Sequence, residues 1–180
     1  KDLILQLLQK ADFNISDILF KENKLKVEDI KEWGAQIPES DKQKIVNEGH
    51  LKFREVFFKH KTGLGEKTMP VKYQSSGTMR YYEMGGLLAR LLKPGTFMMI
   101  DELENSLHTD LVTHFLKTFL ANTEQSQLLV TTHDVQLLRE DFIRRDSIWF
   151  TEKNQDGESE LFSLLDFKLH KNLSPYNAYM

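Results

Sequence analysis

Apolar residues recur along the chain with two periods, one that suits helices and one that suits strands. Leu3, Ile4, Leu7, Leu8 and Ala11 fall on one stripe, which predicts an amphipathic helix over residues 1–11. Residues 14–20 carry a short strand-like alternation with Ile15, Ile18 and Leu19 apolar. The charge-rich stretch 21–49 predicts two helical pieces, separated by Gly34 and Pro38 and stopped at Gly49. Its mixed lysines and glutamates read as a solvated helical face. Residues 51–60 and 69–73 predict two strands, joined by a turn over 61–67 that holds Gly63 and Gly65.

The second half has a stronger pattern. Residues 76–92 read as a helix with Met79, Leu87, Leu88, Leu91 and Leu92 apolar, ended by Lys93-Pro94-Gly95. Phe97–Ile100 is a continuous apolar run between polar flanks, the pattern of a buried parallel strand. A crossover helix is predicted over 109–120, with Leu111, Val112, Phe115, Leu116 and Phe119 inward, and a second buried strand over 127–132. Strand, helix and strand of these lengths make a βαβ unit. Residues 135–145 read as a helix, and 148–152 pairs with 160–164 around Asp156-Gly157. The fold class is therefore α/β with parallel core strands, plus an N-terminal helical segment.

Composition adds bounds. The 180 residues suffice for one domain with a real core. A net charge of −3 gives no global basic field, so charge supplies no argument for nucleic-acid binding and does not exclude it. The absence of cysteine rules out disulfides, thiolate zinc sites and cysteine nucleophiles, and is compatible with a reducing, cytoplasmic setting. No apolar run approaches the length of a membrane span. Opening on Lys1 and stopping at Tyr179-Met180, the chain reads as an excised piece.

Three clusters carry candidate chemistry. Phe97–Ile100 delivers Asp101 and Glu102 at a strand end, where open α/β sheets place their ligands. Nucleotide hydrolysis needs one carboxylate to hold magnesium and another to orient and deprotonate water. Many strand exits also read Asp-Glu, so the pair alone is a weak signal. Thr131-Thr132-His133-Asp134 closes the next parallel strand, which puts His133 at the same sheet edge as Glu102. A histidine there can donate to a terminal phosphate; the bland alternative is a capping loop, with Thr132 or Asp134 starting the following helix. Ser75-Ser76-Gly77-Thr78 opens a helix, either as an anion site or as an ordinary serine cap. Gly85-Gly86 inside that helix suggests close packing against a neighbouring backbone.

The order and spacing of residues 75–80, 99–102, 104–108 and 131–134 resemble the C-terminal lobe of ABC-type ATPase heads, a group that includes SMC, RecF and OLD-type proteins. The chain is most similar to prokaryotic AAA-annotated ATP-binding proteins of abortive-infection and anti-phage defence. The run 144–150, Leu165-Asp166-Phe167 and Asn177-Ala178-Tyr179 also match that branch. The resemblance covers residues 50–180 and implies a division into a segment 1–50, the end of an insertion or arm, and a lobe 51–180. It implies ATP and Mg2+ as cofactors. Ser76 and Gly77, flanked by Ser75 and Thr78, correspond to signature residues that meet the γ-phosphate held by the opposite protomer. Asp101 corresponds to the magnesium carboxylate and Glu102 to the catalytic base. Ser106 and His108 fall in the loop lining the dimer interface, and His133 corresponds to the switch histidine. Thr78 and His108 depart from the general ABC pattern in the manner of the defence branch.

No G-x-x-x-x-G-K-[ST] loop occurs, and Gly63-Leu64-Gly65-Glu66-Lys67-Thr68 reads as a glycine turn between strands. The phosphate loop is expected upstream of Lys1, in the N-terminal half of the same head. The leading expectation is a dimerising Mg-ATPase that controls a bacterial defence effector. A DNA-repair or chromosome-type ATPase and a non-hydrolysing nucleotide sensor are the alternatives.

Overall fold

The computed structural model describes residues 1–11, 14–29, 37–166 and 176. Gly34, Phe167 and Asn177 to Tyr179 lie outside the described residues. The chain divides into two compact units, Lys1–Gly86 and Leu87–Met180.

The first unit is a three-stranded antiparallel sheet with helices on it. Helix α1 (Asp2–Lys10) packs on strand β1 (Ile15–Lys26), and α2 (Glu39–Glu48) packs on β2 (His50–Thr62). Strand β3 (Gly65–Pro70) completes the order β1-β2-β3. Helix α3 (Ser76–Leu91) begins in this unit. Leu7, Leu8, Ile15, Ile18, Ile45, Phe58, Tyr81 and Met84 are its buried apolar side chains. Phe58 meets Tyr82 edge to face at 5.2 Å.

Three expectations change here. The charged residues after Phe20 continue as strand to Lys26, because pairing with β2 overrides their helical periodicity. Leu25 faces Leu51, Asn23 donates to Glu55 at 3.0 Å, and Arg54 pairs with Glu22 at 3.4 Å. The third strand lies earlier than 69–73, since Pro70 has no N–H to continue the ladder and Val71–Tyr73 turns as a 3-10 segment. The turn expected over 61–67 contracts to Gly63 and Leu64, because Thr62 already pairs with Gly65, at φ 114°, and His60 with Lys67. It is a glycine turn, as its spacing indicated.

The second unit holds the parallel pair. Strand β4 (Phe97–Ile100) runs parallel to β5 (Gln127–Val130), in register from Phe97 opposite Gln127 to Ile100 opposite Val130. Helix α4 (Thr109–Asn122) crosses between them and buries Val112, Phe115 and Phe119, an i, i+3, i+7 stripe. Ile100, Leu103, Leu137 and Leu164 are also buried in this unit. Strands β6 (Trp149–Lys153) and β7 (Ser159–Ser163) form an antiparallel hairpin around Gly157, with Phe150 stacked on Phe162 at 5.6 Å.

The helix expected over 135–145 is instead a 3-10 turn, Val135–Arg139, with a second short one at Arg145–Ser147. Leu137 alone is buried within the first, so there is no apolar stripe to hold several α-helical turns. Glu140 N–H bonds to Leu137 O, the tighter i to i+3 pattern.

Candidate nucleotide-hydrolysis site

Parallel strands that stop in register release their following loops at one sheet edge. Ile100 pairs with Val130, so Asp101 and Glu102 leave beside Thr131, Thr132 and His133. Hydrogen bonds then stitch the two loops together. Thr131 N–H donates to Ile100 O at 3.1 Å, and Leu103 N–H donates to Thr131 O at 3.0 Å. The Thr131 hydroxyl accepts from Glu102 N–H at 2.9 Å and donates to the Asp101 carboxylate. One threonine therefore fixes both candidate carboxylates, the first by its side chain and the second by its peptide.

Glu102 sits at φ 47°, in the left-handed region that a β-carbon disfavours by about 1–2 kcal/mol. Its neighbours hold it there. Leu103 is fully buried, and Asn105 N–H closes a turn on Glu102 O at 2.9 Å. The side chains of Asp101, Glu102 and His133 remain exposed. The sharp turn thus buries Leu103 while presenting the carboxylates.

Glu104 and Thr131 escaped the sequence reading as individual site residues, although both lie within its motifs. Glu104 Oε1 accepts the His133 N–H at 2.7 Å. Burial pushes the Glu104 carboxyl up, but hydrogen bonds from the Thr132 side chain and the His133 peptide outweigh this and hold it below its ordinary range. A glutamate two places after the acidic pair, on a loop that must meet the histidine loop, was the available signal.

The two readings of the 131–134 loop divide between adjacent residues. Asp134 is the cap: it accepts from Gln136 N–H at 3.0 Å and from the Thr109 hydroxyl at 2.6 Å. His133 accepts from Val135 N–H with its peptide oxygen at 3.1 Å, and its side chain is exposed.

His108 is the N-cap of α4, where its Nδ1 accepts from Asp110 N–H at 3.4 Å. Ser106 lies in the same loop at φ 61°, with its hydroxyl bonded to the Asn105 side chain at 3.2 Å. Ser75 to Thr78 belong to the other compact unit. There Ser75 Oγ accepts from Thr78 N–H at 3.1 Å and lies 2.8 Å from the Thr78 hydroxyl, which is itself buried. Ser75 and Thr78 therefore serve the helix start, which leaves the exposed Ser76 and the half-buried Gly77 in the first turn.

A magnesium ion bound through water and phosphate needs few protein ligands. Asp101 fits that role: one of its oxygens takes the Thr131 hydroxyl and the other is left for a water of the ion's shell. Among the described residues no group of three or more His, Asp or Glu could cage a metal by itself. The donor set therefore suits an ion shared with a nucleotide.

The parallel pair and its crossover helix belong to an α/β domain of the P-loop ATPase-like type. Residues 2–139 match the family model described as "AAA domain, putative AbiEii toxin, Type IV TA system", and the chain belongs to that family. The match begins at residue 2 and so takes in the first fifty residues. A search of the curated proteins found no match. A solved chain from structural work on ATP-driven dimerization and DNA-stimulated activation of SMC ATPases is similar in fold. It is 18% identical, with a TM-score of 0.51, over 99% of this chain and 88% of that one. Among the described residues no helix is long and apolar enough to cross a membrane.

Proposed function

We propose that this chain supplies the hydrolytic edge of an Mg-ATP-dependent head that works as a dimer and acts in a bacterial defence system of the toxin–antitoxin type. The observation that carries the reading is the stitched pair of loops, which presents Asp101, Glu102 and His133 together at the end of a parallel sheet. Asp101 would hold the magnesium ion, which would supply charge to the phosphates, Glu102 would orient and deprotonate the attacking water, and His133 would meet the terminal phosphate. Phosphoryl transfer asks for such positioning and charge more than for covalent help. Ser76 and Gly77 meet a phosphate held by a second head. Ser106 and His108 line the surface between the two heads.

An uncovered face supports a missing half. Parallel sheets are covered on both sides, yet Phe97, Met99 and Leu129 are 59%, 69% and 56% exposed on β4 and β5. We assign that face to the half of the head that carries the phosphate loop. The 180 residues alone should then bind ATP feebly.

The test is turnover of the full-length protein. Mg-dependent ATP hydrolysis is expected, and Glu102→Gln should abolish it while leaving ATP bound, because the amide keeps the shape and loses the basicity. Undiminished turnover in Glu102→Gln would sink the assignment. The similarity to an SMC ATPase chain favours a second reading, a chromosome-type ATPase. Stimulation of turnover by duplex DNA would select it over the defence reading. Possession of both Asp101 and Glu102 weighs against a non-hydrolysing sensor.

A further inference from the structure

We propose that Glu104 is a positioning residue of the ATPase site, setting where the His133 side chain stands by holding the His133 peptide. The proposal rests on the ATPase reading above and extends it to a residue that never touches nucleotide. Its basis is the 2.7 Å hydrogen bond from His133 N–H to Glu104 Oε1, which spans 29 residues of sequence. A bond of that span ties two loops together; it does not close a local turn.

Its location decides its effect. The ladder between the strands ends at Ile100 and Val130, and Thr131 carries the stitching one residue further. Thr132 follows, its hydroxyl accepting from Asp134 N–H at 3.0 Å, and Asp134 caps Val135–Arg139. Between those anchors, Glu104 grips His133 itself. Glu104 is held in turn by its neighbours, since Leu103 is fully buried and Leu107 N–H closes a turn on Glu104 O at 2.7 Å. The His133 N–H is thereby engaged inside the protein, and the exposed imidazole is left as the group that meets a ligand.

The contact also predicts a chemical asymmetry between two nearby glutamates. Glu104 accepts from the His133 peptide, a role that a glutamine oxygen can fill while its amide donates to the Thr132 hydroxyl. Glu102 as base needs its proton affinity, which glutamine lacks. The same substitution should therefore be tolerated at 104 and fatal at 102.

The experiment compares Glu104→Ala, Glu104→Gln and Glu102→Gln in the full-length protein. Steady-state Mg-ATP turnover, hydrogen exchange across residues 131–135 and thermal melting are measured together. Glu104→Ala should lower kcat by roughly 10- to 100-fold, as loss of a supporting contact does elsewhere, with KM changed by less than about threefold. Exchange across 131–135 should quicken. Glu104→Gln should keep turnover within about threefold of wild type and restore slow exchange. Glu104→Gln as inactive as Glu102→Gln would overturn the proposal, because charge and not acceptance would then matter. So would an active Glu104→Ala, or a loss of kcat that merely follows a fall in melting temperature. Absence of turnover in the wild type would overturn the ATPase reading and this role with it. An active wild type that is indifferent to Glu104→Ala would overturn this role alone.

Discussion

Thr131 shows how much one hydroxyl can organise. It donates to Asp101 and accepts from the Glu102 peptide, so both carboxylates depend on it. Thr131→Val keeps the branched shape and removes both bonds. Turnover of the full-length protein should drop by roughly 10- to 100-fold, the usual effect of losing a group that orients a metal ligand. The magnesium concentration for half-maximal rate should rise. Thr131→Ser should retain most of the activity, and a Val variant with wild-type magnesium dependence would refute the orienting role. Glu104 carries a pH signature on stability. Its carboxyl is held below the ordinary 4.5 because hydrogen bonds at the 132–133 loop favour the charged form over the effect of burial. A depressed pKa contributes stability above the unfolded value and loses it as pH falls through the folded one. The stability gap between wild type and Glu104→Gln should therefore narrow as pH falls below 4.5. Urea melts at several pH values would show it, and a constant gap would contradict the assignment.

Among the elements, α3 offers a sharp contrast between adjacent glycines. A β-carbon at Gly85 would lie 3.1 Å from Ile4 Cγ2, whereas one at Gly86 would meet nothing within 4 Å. Close packing thus accounts for Gly85, though against the α1 side chain and not the backbone expected from sequence. It does not account for Gly86. Gly86→Ala should stabilise the helix by about 0.5–1 kcal/mol, the ordinary gain over glycine. Gly85→Ala should gain less or lose stability, and Ile4→Ala should relieve the difference. Equal gains at both positions, measured by urea midpoints, would disprove the packing argument. The same scale separates what could be read from sequence. Phe97–Ile100 and α4 were legible because an unbroken apolar run and a single apolar stripe are patterns in the residues themselves, although one face of Phe97–Ile100 is exposed here. Residues 21–26 were not, since their strand state is imposed by pairing partners about 30 residues away in β2. The 135–145 stretch misled for another reason: helix-compatible residues followed a good cap without the apolar stripe that sustains a long helix. Asp101, Glu102 and His133 could be placed at one edge by topology alone. Thr131 and Glu104 could not, because their roles depend on which hydrogen bonds the turns leave open.

For the whole molecule, the proposed anion site at Ser76 and Gly77 requires a phosphate to meet it. Ser75 and Thr78 are spent on the helix start, so the exposed Ser76 is the polar side chain remaining in that first turn. Free N–H groups at a helix start can meet a phosphate of a nucleotide that is held elsewhere. A second head supplies it in the proposed arrangement, and that arrangement makes a paired prediction. Glu102→Gln should bind ATP without cleaving it, so the full-length variant should accumulate as an ATP-dependent dimer. Adding Ser76→Arg to that background puts a bulky cation at the helix start, where it should obstruct the facing head and prevent accumulation. The single Ser76→Arg variant should melt as wild type does, because Ser76 is exposed. Light scattering with and without Mg-ATP reads both effects. Glu102→Gln that stays monomeric with ATP, or a double variant that dimerises as well as the single, would end the shared-site model. A constitutive dimer held by other surfaces is resolved by mixing protomers. Ser76→Arg on one head and Glu102→Gln on the other leave at most one intact composite site, so turnover should approach half of the wild-type rate per dimer if the two sites act independently.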